Sequence, residues 1–135
     1  MNDSNHETGS ALTIRYNDDG LVPAIVQDAD GGEILMMAWM NREAFEHTME
    51  TGRATFFSRS RNKLWVKGES SGHVQQVESC RVDCDQDTVL LRVRSSGPAC
   101  HVGYRSCFYR EVQAGDRSLK FVAEKVFDPD KVYKA

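Results

Sequence analysis

An α+β domain dominated by antiparallel β-sheet, with one or two short helices, is the fold this sequence predicts. Three observations predict it. Segments rich in β-branched and aromatic residues recur along the chain, joined by short polar connections such as Arg61-Asn62-Lys63, which favours hairpins over βαβ crossovers. One stretch alone carries helix punctuation at both ends. No repeat and no Pro/Gly-rich linker divides the 135 residues, so a single compact domain is expected.

Residues 21–28 and 33–40 read as strands joined by the turn Ala29-Asp30-Gly31-Gly32. Asn41 then caps a helix running to Thr51, with Ala44, Phe45, Thr48 and Met49 as its apolar stripe and Gly52 just past its end. Residues 55–58, 64–67, 74–82, 88–93, 107–112 and 119–126 are further strands. The last of these has a short helix as its alternative, since Ala123, Glu124 and Lys125 are good helix formers. Residues 1–10 are polar and lack the apolar core of a secretory signal, so they are expected to form a flexible tail before a domain at 11–135.

A net charge of −3 argues against a general nucleic-acid binder, whose footprint is strongly basic. No apolar run approaches the ~20 residues of a membrane span. A cytoplasmic protein without nucleic-acid or membrane partners is therefore expected. In a reducing compartment, Cys80, Cys84, Cys100 and Cys107 read as metal ligands or chemical groups rather than as disulfides. Charge is also unevenly spread. Arg53, Arg59, Arg61, Lys63 and Lys67 fall in a stretch without acids, whereas Glu69, Glu78, Asp83, Asp85 and Asp87 follow with Arg81 as the one cation. Such a division suits solvated strand edges, or a pocket for an anionic, phosphate-bearing ligand.

The run Asp83-Cys84-Asp85-Gln86-Asp87 is the most specific local feature. In an extended chain, Asp83, Asp85 and Asp87 would share a face and Cys84 would point the other way. Three such carboxylates would be relieved by a hard cation such as Mg²⁺, because like charges raise one another's pKa; the alternative reading is an acidic turn before the strand at 88–93, where aspartate is common. An EF-hand loop is excluded, since its sixth position is Thr88 rather than glycine and its twelfth is Arg94 rather than glutamate. Cys84, Cys100 and Cys107 form a second set, read either as inert core thiols or as ligands of a zinc ion. Three zinc ligands leave a position for water, as in catalytic sites, whereas adding Cys80 would close the site and make it structural. Cys80 lies too far along its strand from Cys84 to share an ion, and reads as a buried apolar residue. His101, beside Cys100 on the turn Gly97-Pro98-Ala99, could be a general base or a ligand, and His73 is a second candidate. His47 and His6 read as solvated.

The segments FFSRSRNKLWVKGESSGHVQ (residues 56–75), DCDQD (83–87) and GPACHVGYRSCFY (97–109) resemble, in order and spacing, the phosphoribosyl-AMP cyclohydrolases of histidine biosynthesis, with likeness over residues 21–112. The resemblance implies hydrolytic opening of the adenine ring of 1-(5-phosphoribosyl)-AMP at the N1–C6 bond, by zinc-bound hydroxide. It implies Cys84, Cys100 and Cys107 as zinc ligands, and Asp83, Asp85 and Asp87 as Mg²⁺ ligands. It also implies an intertwined homodimer whose zinc sites draw ligands from both chains. His101 or His73 would handle the proton. The segment with Arg59, Arg61, Lys63 and Lys67 would dock a substrate phosphate. Many bacterial relatives carry a fused phosphoribosyl-ATP pyrophosphatase, but only the cyclohydrolase step is expected here. Two rivals differ in class. A structural zinc module closed by four cysteines would not depend on the aspartates, and a nucleobase deaminase would need HxE and PCxxC patterns that are absent.

Overall fold

The structure is a computed structural model that describes residues 6–95 and 97–126. Its elements are β1 (Val22–Asp28), β2 (Ile34–Met40), α1 (Arg42–Thr51), β3 (Thr55–Ser58), β4 (Lys63–Val66), β5 (Gln75–Val82), β6 (Val89–Ser95), β7 (Arg110–Val112) and β8 (Leu119–Phe121). A four-stranded sheet has the order β2-β1-β6-β5, and β3–β4 and β7–β8 form separate two-stranded hairpins. The α+β architecture is the one expected.

Alternation explains the central strands. Val22, Ala24 and Val26 of β1 and Val89, Leu91 and Val93 of β6 are completely buried, each set on one face of its strand. Leu35, Met40 and Phe56 complete the same core. β1 and β6 lie side by side in parallel, Ala24 opposite Val89 and Asp28 opposite Val93, while the other pairings are antiparallel. The hairpin expectation misses this pair. The two strands with the strictest apolar alternation occupy the middle of the sheet, where both their edges are covered, and the chain reaches that place only after α1, β3, β4 and β5.

The helix forms where its caps place it. The Asn41 side chain accepts from the Ala44 amide at 2.8 Å, and the Gly52 amide donates to the Thr48 carbonyl at 2.9 Å. Its buried stripe is narrower than expected, because Met49 is exposed. Thr48 faces β3 instead, where its hydroxyl accepts from the Thr55 amide at 3.0 Å and donates to the Thr55 carbonyl at 3.2 Å.

Three boundaries differ from expectation in ways that matter for the site. β4 ends at Val66, so Lys67 leaves the strand. β7 starts at Arg110 rather than Cys107, because the Cys107 amide and the Ser106 hydroxyl donate to the Leu35 and Ile34 carbonyls and bend the chain. β8 stops at Phe121, and no helix follows it through residue 126. Around this last hairpin, Phe108, Val112, Leu119, Phe121 and Val122 are exposed. Among the described residues, no helix is long and apolar enough to cross a membrane.

Candidate active site

β6 divides the candidate residues. The acidic run precedes its first residue, and the Cys100–Cys107 loop follows its last. Seven residues of strand separate the two ends by about 20 Å.

At the first end the acidic run is a turn, not an extended strand. The Asp83 carboxylate accepts from the amides of Asp87 and Thr88 at 3.0 and 3.1 Å, and the Gln86 amide donates to the Asp83 carbonyl. An aspartate that captures the backbone two to five residues on competes with strand pairing, which is why the alternation argument fails here. Convergence survives by another route: ligand oxygens of Asp83, Asp85 and Asp87 all lie within 4.8 Å of one another. The crowding shows in the acidity of Asp83 and Asp87. Asp87 is raised by hydrogen bonds with Asp83 and Asp85 and by their charges. Burial pushes Asp83 up, but hydrogen bonds from Asp87, Thr88 and Asp85 outweigh it and leave the group lowered. Three carboxylates crowded this closely fit a hard divalent cation.

At the other end, residues 97–107 form a knotted-down loop. The Ala99 and Cys100 amides donate to the Arg105 and Tyr104 carbonyls, and the Cys107 amide reaches Leu35. Arg105 is held between two carboxylates, bonding Asp28 and, at 2.7 Å, Glu33. The loop is thereby fastened to the end of β1 and the start of β2, beside the end of β6. Cys100 and Cys107 touch within it. Loss of water and the proximity of Cys100 push the Cys107 thiol up to about 11, although Cys107 as a residue is exposed. Lys67 donates to the Ala99 carbonyl at 2.5 Å and is lowered by burial, an effect opposed by the neighbouring Cys107 and Cys100. Two thiols beside each other supply half of a tetrahedral sulfur site. Cys84 belongs to the opposite end of β6. Among the described residues, the one cluster of three metal-ligating side chains is the aspartate group.

A cavity of about 740 Å³ opens beside this loop, where Arg61, Lys63 and Lys67 outnumber the single acid Glu69, while Trp65, four serines and His101 complete the polar lining. Cations in excess, hydroxyls and an exposed imidazole thus line one cavity. Arg59 lies elsewhere, its guanidinium 5.1 Å from the Trp39 ring in an adjoining groove. His73 sits behind the loop, against Gly97, whose missing side chain lets the ring approach. Cys80 faces Leu91 on β6, packs on the core and is raised by burial, as an inert thiol should be. His6, expected to be solvated, is buried and bonds the Asp85 carbonyl at 2.7 Å. His47 is half-buried against the Thr55 hydroxyl at 2.8 Å.

The family model for phosphoribosyl-AMP cyclohydrolase matches residues 36–109, from β2 through the thiol loop. The chain belongs to the phosphoribosyl-AMP cyclohydrolase family. It is 62% identical over 116 residues to a phosphoribosyl-AMP cyclohydrolase of Nitratidesulfovibrio vulgaris (strain DP4), covering 85% of this chain and 90% of that one. A protein of the same name from Chlorobium limicola is 53% identical over 127 residues, covering 94% and 92%. Another from Dinoroseobacter shibae is 60% identical over 103 residues, covering 76% and 87%.

Sequence reasoning overlooked Arg105, Gln86 and Gly68. Arg105 stands between two candidate ligands in GYRSC, which is a signal that a charged residue there has a partner. Gln86 and Gly68 carry no such signal: Gly68 matters for its backbone φ of 87°, and Gln86 for a φ of 59° and for a side-chain bond to Thr13, 73 positions earlier.

Proposed function

We propose that the protein hydrolyses 1-(5-phosphoribosyl)-AMP, a step of histidine biosynthesis in the cytoplasm. A C6–O bond forms from water, the N1–C6 bond breaks, and the imidazole carboxamide product keeps both ribosyl phosphates. Family membership supports the reaction. The observation that carries the location is the meeting of His101, a cationic cavity and the Cys100–Cys107 pair on one loop.

In this reading Cys84, Cys100 and Cys107 hold Zn²⁺, and Asp83, Asp85 and Asp87 hold Mg²⁺. Zinc, when bound, makes a coordinated water acidic enough to attack near neutral pH. His101 accepts the proton released in the attack and returns it to N1, a role for which its place on the cavity wall favours it over His73. Arg61 and Lys63 bind one substrate phosphate from the cavity mouth. Arg59 stands farther off, over Trp39, and suits the second phosphate. Lys67 contributes its charge from beneath, where it also steadies the Ala99 carbonyl.

The distance between Cys84 and the other two thiols supports a homodimer that closes each zinc site from two chains. The exposed apolar side chains around β7 and β8 supply a surface for such pairing. The test is turnover of phosphoribosyl-AMP by purified protein, followed through the imidazole carboxamide product. Activity abolished by chelation and restored by zinc supports the reading. A folded, metal-loaded protein without turnover overturns it.

A further inference from the structure

The acidic turn contains a residue that the reaction does not use and the turn itself does not need. Gln86 takes a left-handed conformation that glycine or asparagine adopts more readily, yet its side chain is buried, at 6% exposure. Both ends of its amide are engaged by the N-terminal segment. Its Oε1 accepts from the Thr13 amide at 2.8 Å, and its Nε2 donates to the carbonyls of Ala11 at 3.1 Å and His6 at 3.4 Å. The Gln86 carbonyl accepts from the Arg15 amide at 2.8 Å, and His6 Nε2 bonds the carbonyl of Asp85. A side-chain amide thus stands in for a peptide group and anchors the N-terminal segment by its backbone.

We propose that Gln86 is a positioning residue for the divalent-cation site, and that the segment around residues 11–15 is the strap through which it acts. Asp85 and Asp87 flank Gln86 directly, so fixing its backbone fixes the direction of both carboxylates. Asp83 bonds the amides of Asp87 and Thr88, and is carried along with them. Without the strap, the turn keeps its internal bonds, but its central residue is free to leave the left-handed region, and the three oxygens lose their common focus. This rests on the assignment of Asp83, Asp85 and Asp87 to a divalent cation.

The test uses the full-length chain and Mn²⁺ as probe, titrated by electron paramagnetic resonance. Gln86→Gly removes the amide while easing the backbone conformation, and Thr13→Pro removes the donor on the strap. Each lowers Mn²⁺ affinity about tenfold, the low end for a residue that supports metal ligands. The double variant binds no more weakly than Gln86→Gly alone, since both changes break one connection. Zinc content is unchanged, and excess Mg²⁺ restores turnover, which it would not do for a merely unstable protein. Unaltered Mn²⁺ affinity in Gln86→Gly, or losses that multiply in the double variant, overturns the proposal. Asp85→Asn separates the two levels. If it loses Mn²⁺ while Gln86→Gly retains it, only the strap is wrong. If it binds Mn²⁺ like the wild type, or the wild type binds none, the cation assignment fails and the proposal with it.

Discussion

Replacing Arg105 with methionine should loosen the thiol loop by a calculable amount. The arginine side chain is 48% exposed and bonds Glu33, itself 46% exposed, so that pair contributes at most about 1 kcal/mol. Asp28 is different, with only 12% of its side chain exposed. Removing the partner of a deeply buried carboxylate costs about 3–5 kcal/mol. Asp28, however, ends β1 beside an open turn and keeps the Asp30 amide at 3.1 Å, so water reaches it once the guanidinium is gone. The total is therefore about 1–2 kcal/mol. With a urea m-value near 2 kcal/mol/M, the midpoint falls by roughly 0.5–1 M at pH 7. The pH dependence follows from the carboxyl. Asp28 is held below its ordinary range chiefly by the Asp30 amide, against the desolvation that raises it, with Arg105 helping. A lowered folded pKa gives stability that is present above the unfolded value near 3.9 and is lost as pH falls through the folded one. The gap between wild type and Arg105→Met should therefore narrow below about pH 3.9. An unchanged midpoint at pH 7, or a gap that stays constant into acid, refutes the clamp.

Other consequences are as direct. Gly68→Ala places a methyl 2.3 Å from the backbone of His73 and Val74 at a φ of +87°, so the strain alone costs about 1–3 kcal/mol and the clash adds to it. The urea midpoint drops and turnover goes with it, whereas Gly115→Ala, in open space, leaves both intact. In metal-free protein, a Cys107 thiol near 11 reacts with maleimide at pH 8 on the order of a hundredfold slower than a free cysteine, whose thiol sits near 8.5. Its rate climbs with pH up to that range, and peptide mass mapping reads it. His101→Asn lowers kcat by about 10²–10⁴ while zinc content stays constant, if His101 carries the proton. Equal kcat in the variant moves that role to His73.

The parts of this fold that could be read from sequence are those decided locally. Val22, Ala24 and Val26 alternate because one side of β1 faces the core, and Asn41 with Gly52 marks α1 at both ends. The parallel pairing of β1 with β6 is not local. It depends on which strand edge remains free after β2 has paired, and no residue encodes that. The site divides in the same manner. The adjacency of Cys100 and His101 is visible in the chain, as is the density of carboxylates at 83–87. Of the two geometries open for that run, the acidic turn forms rather than the extended strand, because Asp83 bonds its own downstream backbone, a competition that periodicity does not weigh. Which partner Arg105 takes was unreadable for another reason. Its partner Asp28 lies 77 positions earlier, and only the folded sheet brings them together.

The same topology bears on assembly. Within one chain, the strand β6 keeps Cys84 at one end of the sheet and Cys100 with Cys107 at the other, and the bonds that anchor the thiol loop to Ile34, Leu35 and Asp28 oppose any folding back. The proposed three-thiol site would then require Cys84 to come from a second copy, which a two-fold dimer would provide twice. Complementation distinguishes this from a site formed within one chain. Cys84→Ser and Cys107→Ser homodimers each lack a ligand at both sites and are inactive. In a mixed dimer one site collects both lesions and the other collects none. Random pairing of equal amounts makes half the dimers mixed, so about a quarter of wild-type activity and zinc binding should return on co-expression. Light scattering of the wild type at twice the chain mass should accompany it. No recovery from a demonstrably mixed dimer would mean that each chain builds its own site, and that the loop must move the length of β6 to do so.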